Sequence, residues 1–258
     1  MEPPISPLLF TVVLLLGMLG FLEIGRRLGV WRLAKESLDE QTGLVTIEGA
    51  VFALFGLIIA FTFSGAASRF NEKRLLIGEE VNAIGTAYLR LELVPEEARS
   101  ALQELFRRYV DSRLETYRRL PNMRAAEVEL AQSTKLQNEI WSRAVAATRL
   151  PNSHSDAAKL LLPALNTMFD IATTRTMWLE VHPPRIIYAL LFGLGLICSL
   201  MAGYGMASRR RSWLHITGFT VLTVVIVYVM LDVEYPRAGL IRLEAADQML
   251  IKVREGMK

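Results

Sequence analysis

The residues best suited to chemistry in this chain are three histidines, one cysteine and a pair of adjacent glutamates. His154, His182 and His215 lie far apart, and none has the short spacing to a second ligand that a metal-binding motif requires. We therefore interpret His182, beside two prolines, and His215, at the edge of an apolar segment, as interface residues. Cys198 is the only cysteine, which excludes an intrachain disulfide and a cysteine-based metal site.

The adjacent carboxylates of Glu79 and Glu80 do not form an acid–base pair. Successive helix positions point about 100° apart, so we interpret the two residues as part of a solvated helix face, with one carboxylate paired to an arginine. The sequence also contains no Gly-rich phosphate loop, no GxSxG elbow and no HExxH helix. We predict no catalytic residue, no cofactor and no metal site, and we expect a protein that is not an enzyme.

Charge and hydropathy are strongly segregated along the chain. Hydrophobic residues make up 52% of it and charged residues 21%, and the mean hydropathy is +0.31. The charge-poor segments predict four transmembrane helices, at about 5–22, 49–67, 186–207 and 213–231. The net charge of +3 is spread thinly, without the concentrated basic face that nucleic-acid binding needs. We therefore expect an integral membrane protein whose partner is the lipid bilayer, with no nucleic-acid partner.

The central feature of the predicted architecture is one long helix that contains the second span. No proline occurs between Ile47 and Val94, so the helix of the second span has no signal to stop at the membrane surface. Beyond the span, apolar residues recur in alternating steps of four and three, the seam of a helix packed lengthwise on its neighbours. The seam consists of Ile77, Val81, Ile84, Tyr88 and Leu91, with Phe70 before it.

The sequence predicts an all-α fold in three parts. Residues 1–68 hold spans 1 and 2, residues 69–184 form a helical bundle outside the lipid, and residues 185–258 hold spans 3 and 4 with a C-terminal tail. The middle part shows no alternating strand pattern, so we expect span 2 to continue into the bundle as one of its helices. For residues 240–253 an amphipathic strand and an amphipathic helix both remain open.

The second span carries two stripes of residues, and within each stripe the residues recur at every fourth position. Phe55, Ile59 and Phe63 share one face; if the span surrounds a symmetry axis they form a candidate pore constriction, and otherwise they face lipid or pack within the chain. Small residues on spans 2 and 3 favour close helix packing, with an ordinary membrane-helix composition as the alternative. These packing candidates are Gly56, Ala60, Ser64, Gly195, Ser199 and Gly203.

Two stretches of the sequence resemble the signatures of the bestrophin-like domain family of four-span, mostly bacterial membrane proteins. They are AFTFSGAASRFNEKRLLIGEEVNAIGTAYLR at 60–90 and LDVEYPRAGLIRL at 231–243. The resemblance covers residues 43–243 and implies an integral protein of the bacterial inner membrane. True bestrophins, which are oligomeric anion channels, are similar only remotely, and no residue-by-residue match to their selectivity sites or calcium clasp is present.

Two functions follow as expectations. The first is a homo-oligomeric ion channel with an apolar constriction on span 2, for which the remote resemblance favours anions over other ions. The second is a non-catalytic membrane scaffold or sensor whose helical layer binds a protein partner. Tight helix contacts on two spans favour the channel slightly, since a pore needs one helix face repeated around an axis.

Overall fold

The structure is a computed structural model, and every regular element it describes is helical. It describes residues 6–33, 41–120, 122–207, 213–236, 240–241 and 244–257. The helices, in chain order, are α1 (Pro7–Leu33), α2 (Gln41–Leu89), α3 (Glu96–Arg119), α4 (Met123–Ala147), α5 (Ala157–Met177), α6 (Arg185–Gly205), α7 (Trp213–Glu234) and α8 (Glu244–Gly256).

Four of these helices are long and apolar enough to cross a membrane. They cover Pro7–Arg32, Thr46–Leu93, Arg185–Gly205 and Trp213–Glu234, each with a mean hydropathy of 2.2 or 2.3 in its most apolar window. The all-α fold with four spans, and the continuation of the second span as one long helix, are therefore confirmed. The prediction of helix or strand for residues 240–253 resolves to a helix, α8, in its described part.

Proline, glutamate and asparagine residues mark the end of α2 and the starts of α3 and α4. The 49-residue helix α2 ends in a 3₁₀ turn, Arg90–Leu93, and Val94 is extended because Pro95 follows it. Glu96 and Glu97 then occupy the first turn of α3, where carboxylates favour the helix dipole. At the start of α4, the Asn122 side chain accepts a hydrogen bond from the backbone N–H of Ala125.

The described chain divides into two compact units, and α2 contributes to both. We call the described residues of 3–69 and 182–240 the span unit, and those of 70–181 and 241–258 the bundle unit. In the span unit, the backbones of α1 and α6 are in direct contact. A Cβ atom on Gly203 would overlap the carbonyl oxygen of Leu22, and a Cβ atom on Gly25 would overlap the carbonyl oxygen of Leu200. Glycine is required at both positions because nothing larger fits.

The bundle unit has its own hydrophobic core, and the predicted seam of α2 lies in it. Ile84, Phe106 and Leu165 are fully buried in one hydrophobic cluster, so the seam of α2 shares its core with α3 and α5. Leu250 and Met257 place the C-terminal helix α8 in the same core. Pro163 lies inside α5 without ending it.

Candidate functional site

The second span is the least covered of the four by the rest of its own chain. Only 11% of its apolar window is buried, against 28%, 28% and 39% for the spans in α1, α6 and α7. Its buried positions, including Phe55 and Ala66, lie on the side that packs on the other spans. The opposite side of α2 therefore has no partner within the described part of the chain.

The three candidate constriction residues differ in exposure. Phe55 is 4% exposed and packs near Gly195 of α6, where a Cβ atom on the glycine would lie 3.6 Å from its ring. Ile59 is partly buried against the same cluster, and Phe63 is 40% exposed. The three side chains thus progress from the interior of the span unit to its surface.

The small residues of the two stripes also fall into two groups. On α6, Gly195, Ser199 and Gly203 are all buried within the span unit, and the Ser199 hydroxyl donates to the Gly195 carbonyl oxygen (2.8 Å). On α2, the residues Gly56, Ala60 and Ser64 are exposed, and a Cβ atom on Gly56 would meet nothing within 4 Å. The chain covers the first group itself and leaves the second uncovered.

The two signature stretches meet at a buried carboxylate in the span unit. Glu234, the last residue of α7, is 1% exposed, and it pairs with Arg69 of α2. The Arg69 Nε lies 3.1 Å and 3.0 Å from the two carboxylate oxygens of Glu234, and its Nη2 lies 2.7 Å from Oε2. A guanidinium that donates to both oxygens is the strong form of this pair.

Two further described residues, His182 and Tyr235, belong to this Glu234 cluster. The Nδ1 atom of His182, in the connection between α5 and α6, lies 3.1 Å from Oε1 of Glu234. The His182 ring also stacks on Tyr235, with ring centroids 4.6 Å apart. Burial and the neighbouring Glu234 carboxylate raise the pKa of Tyr235, so the phenol stays neutral at physiological pH.

A second acidic residue of the same signature contacts the chain beyond α7. Asp232 is 1% exposed and accepts a hydrogen bond from the backbone N–H of Leu240 (2.8 Å). In this way the LDVEY stretch supplies one carboxylate to Leu240 and one to Arg69 of α2. The signature is thus a structural motif that ties the end of α7 to two other segments of the span unit.

The bundle unit contains a buried charge cluster of a different composition. Glu80 of α2 is 0% exposed and pairs with Arg113 of α3 (2.6 Å) and with Arg175 of α5. The Arg175 guanidinium lies over the Tyr117 ring, 3.5 Å from its centroid, and Arg113 also donates to the Tyr117 hydroxyl. This Glu80 cluster therefore joins three helices through one carboxylate.

The Glu80 cluster corrects part of the sequence interpretation. Glu79 is exposed and Glu80 is paired to arginine, as expected, but Glu80 lies in the core and not on a solvated face. Burial alone would lower the pKa of Arg113, whereas Tyr117 and Glu80 raise it above its usual range, so the guanidinium remains charged. Because successive helix positions point about 100° apart, the carboxylate of Glu79 lies in water and that of Glu80 lies in the core of the bundle unit.

The bundle unit also has an open groove of about 600 Å³ between α3, α4 and α8. Its charges are balanced, because three arginines and three carboxylates line it. The charged lining residues are Arg108, Asp111, Glu115, Arg118, Glu129 and Arg254. The Arg254 Nε lies 2.7 Å from Oδ1 of Asp111 across the groove. Within the described residues, no group of three His, Cys, Asp or Glu side chains is placed to hold a metal ion.

The sequence analysis did not find the Glu234 cluster. Arg69, His182 and Glu234 lie more than fifty residues apart from one another, so no local spacing connects them. The available signal was a charge at the edge of an apolar segment inside each signature: Arg69 directly follows the second span and Glu234 ends the fourth. A charge held at such a position needs a partner, and the opposite signs indicate which one.

The chain matches known proteins both in sequence and in fold. The model of the bestrophin-like domain matches residues 12–247. A crystal structure of a bacterial bestrophin homologue from Klebsiella pneumoniae, phased by Zn-SAD, is 16% identical with a TM-score of 0.65 over 97% of each chain. A point mutant of that homologue is 17% identical, with a TM-score of 0.64 over 98% of this chain and 99% of that one.

Because the sequence identities are below 20%, these structural matches show a shared fold and not a shared function. No curated protein matches the sequence. The family model, in contrast, spans nearly the whole chain and includes Arg69 and Glu234, which form the Glu234 cluster. The chain therefore belongs to the bestrophin-like domain family.

Proposed function

We propose that the chain is the subunit of a homo-oligomeric ion channel of the bacterial inner membrane, in which α2 lines the pore. The observation that supports this most is the uncovered side of α2, whose apolar window is 11% buried within the chain. An apolar helix that its own chain leaves bare is available to other copies of the chain and to a central axis. The shared fold with bacterial bestrophin homologues supports the same arrangement.

The small residues of α2 supply the contact between copies. Gly56, Ala60 and Ser64 are exposed, and small side chains at spacing four allow a second helix to approach closely in lipid. The corresponding residues of α6 are already used within the chain, against α1. We therefore assign the α2 stripe to the subunit interface and the α6 stripe to packing inside the subunit.

The constriction lies at the level of Phe55, Ile59 and Phe63, and its three layers contribute differently. Phe63 is the layer that faces the pore, because its ring is 40% exposed on the chain. Ile59 and Phe55 support it from behind, with Phe55 held against α6. A ring of apolar side chains at a narrow point gates by excluding water. Resemblance to true bestrophins favours anions as the permeant ion.

Ion flux through liposomes separates these roles. Phe63→Ala should raise basal flux above that of the wild type, because it widens the exposed layer. Phe61→Ala is the matched control: its ring is 69% exposed but lies roughly 200° around the helix from Phe63. Phe55→Ala should chiefly lower stability, by about 3–5 kcal/mol for a buried phenylalanine.

The triple alanine variant of Phe55, Ile59 and Phe63 tests the whole constriction, and chloride and potassium flux measured in parallel tests the anion assignment. Equal flux from wild type, all variants and empty liposomes would remove the channel proposal. The scaffold function would then be favoured, with the groove of the bundle unit, lined by Asp111 and Arg254 among others, as the surface for a protein partner.

A further inference from the structure

The Glu234 cluster contains a histidine, the residue type that proteins use as a switch in the physiological pH range. The imidazole group of histidine commonly gains a proton between about pH 8 and pH 5, whereas guanidinium groups stay charged and phenol groups stay neutral over that range. Among the described residues, the charged and titratable groups that face His182, Glu234 and Tyr235 include Arg69 of α2, with Arg185 and Tyr188 of α6. His182 is the histidine of this cluster, and it contacts the buried Glu234 carboxylate directly.

The geometry makes the effect of protonating His182 specific to Glu234. The carboxylate is 1% exposed and His182 is 15% exposed, so water screens their interaction weakly. The 3.1 Å distance between Nδ1 and Oε1 suits a hydrogen bond from a neutral ring and an ion pair from a protonated one. Protonation thus changes the strength of a contact that is already formed, and requires no rearrangement.

We propose that His182 is a pH-sensitive latch in the span unit. When the ring is protonated, it is a cationic partner of Glu234 in addition to Arg69, and the connection before α6 is bound tightly to the end of α7. When the ring is neutral, Arg69 holds Glu234 and the His182 contact is an ordinary hydrogen bond. The latch is strong at about pH 5.5 and weak at about pH 8. It requires no ion conduction, so it stands or falls independently of the proposed channel.

A double-mutant cycle tests the latch on the purified full chain in detergent. His182→Gln, Glu234→Gln and the double variant are melted with the wild type at pH 5.5 and at pH 8. The coupling between positions 182 and 234, measured as the non-additive shift of the melting temperature, should be larger at pH 5.5. Equal coupling at both pH values, or a larger value at pH 8, would overturn the proposal.

Hydrogen exchange provides a second test that does not depend on the folding of the Glu234 variant. Backbone amides of residues 231–235 in the wild type should be roughly three- to tenfold better protected at pH 5.5 than at pH 8, after correction for intrinsic rates. His182→Gln should lose this difference. His154→Gln, at an exposed histidine of the bundle unit, should keep it. A His182→Gln protein with the wild-type difference would contradict the latch.

Discussion

Within the described residues, each of the two units buries a glutamate, and the two glutamates are neutralised by different means. In the bundle unit, Glu80 is 0% exposed between two arginines that are themselves 2% and 4% exposed. In the span unit, Glu234 is 1% exposed but its partners, Arg69 and His182, are 22% and 15% exposed. The first cluster is sealed from water, and the second keeps access to it.

This difference predicts different duties. A buried pair that loses one partner leaves an uncompensated charge, so the Glu80 cluster fixes how α2, α3 and α5 fit together. In the Glu234 cluster, His182 is 15% exposed and can be reached by water, which is what the proposed latch requires. We therefore expect the Glu80 cluster to be a fixed joint and the Glu234 cluster to be an adjustable one.

The largest effect should come from breaking the sealed cluster. Glu80→Gln removes the carboxylate from two buried guanidinium groups, and we expect a loss of about 3–5 kcal/mol of stability. Denaturation of the detergent-solubilised chain, followed at the bundle helices, measures it. Glu79→Gln changes the exposed neighbour in the same way and should cost less than about 0.5 kcal/mol. Similar losses for the two variants would place Glu80 outside the core.

The substitution Glu234→Gln in the Glu234 cluster should cost less stability than Glu80→Gln. Glu234→Gln leaves Arg69 with access to water, so we expect a loss of about 2 kcal/mol, close to that of a charged hydrogen bond. The same denaturation experiment at pH 7 compares it directly with Glu80→Gln. A loss equal to that of Glu80→Gln would show that Glu234 is as sealed as Glu80 and would end the contrast between the units.

A milder change sharpens the description of the sealed cluster. Tyr117→Phe keeps the ring under Arg175 but removes the hydroxyl, which accepts from Arg113 and donates weakly to Glu80 (3.4 Å). The hydrogen bonds of the hydroxyl are lost while the cation–ring contact remains, so about 1–2 kcal/mol should be lost. Tyr117→Leu removes both contacts and should be clearly worse. If the two variants were equally stable, the ring contact would contribute nothing.

The smallest effect is expected at an ion pair that is exposed to solvent. Arg254 and Asp111 are 30% and 53% exposed, so Asp111→Asn should cost about 0.2–1 kcal/mol at low salt. High salt should remove most of this difference, whereas it should leave the loss in Glu80→Gln unchanged. A cost above 2 kcal/mol would mean that the pair is needed to dock α8.

The architecture could be predicted from the sequence because it depends on local patterns. Hydropathy defined the spans, the absence of proline defined the length of α2, and steps of three and four placed Ile84 in the bundle core. Each of these signals is written in one segment. The same holds for the close packing glycines of α6, whose spacing was visible although their partner, α1, was not.

The charged clusters could not be predicted because they depend on distant pairs. The spacing of the seam did distinguish the two glutamates: Glu80 lies three residues after Ile77 and four before Ile84, on the buried face, whereas Glu79 lies on the opposite side. The arginine partners of Glu80 could not be read in the same way, since only the positions of α3 and α5 bring Arg113 to it. Likewise, His182 gave no signal of its own, because its partner Glu234 belongs to a different helix. Contacts between segments are set by packing, and packing was not available from one sequence.

The most direct test of the channel proposal is an image of the purified chain in detergent or nanodiscs by electron cryo-microscopy. We expect a closed ring of identical subunits in which α2 is the helix nearest to the symmetry axis. Gly56, Ala60 and Ser64 should lie at the contact between copies, and Phe63 should project toward the axis. A monomer, or a ring with α2 on its lipid-facing side, would contradict the account.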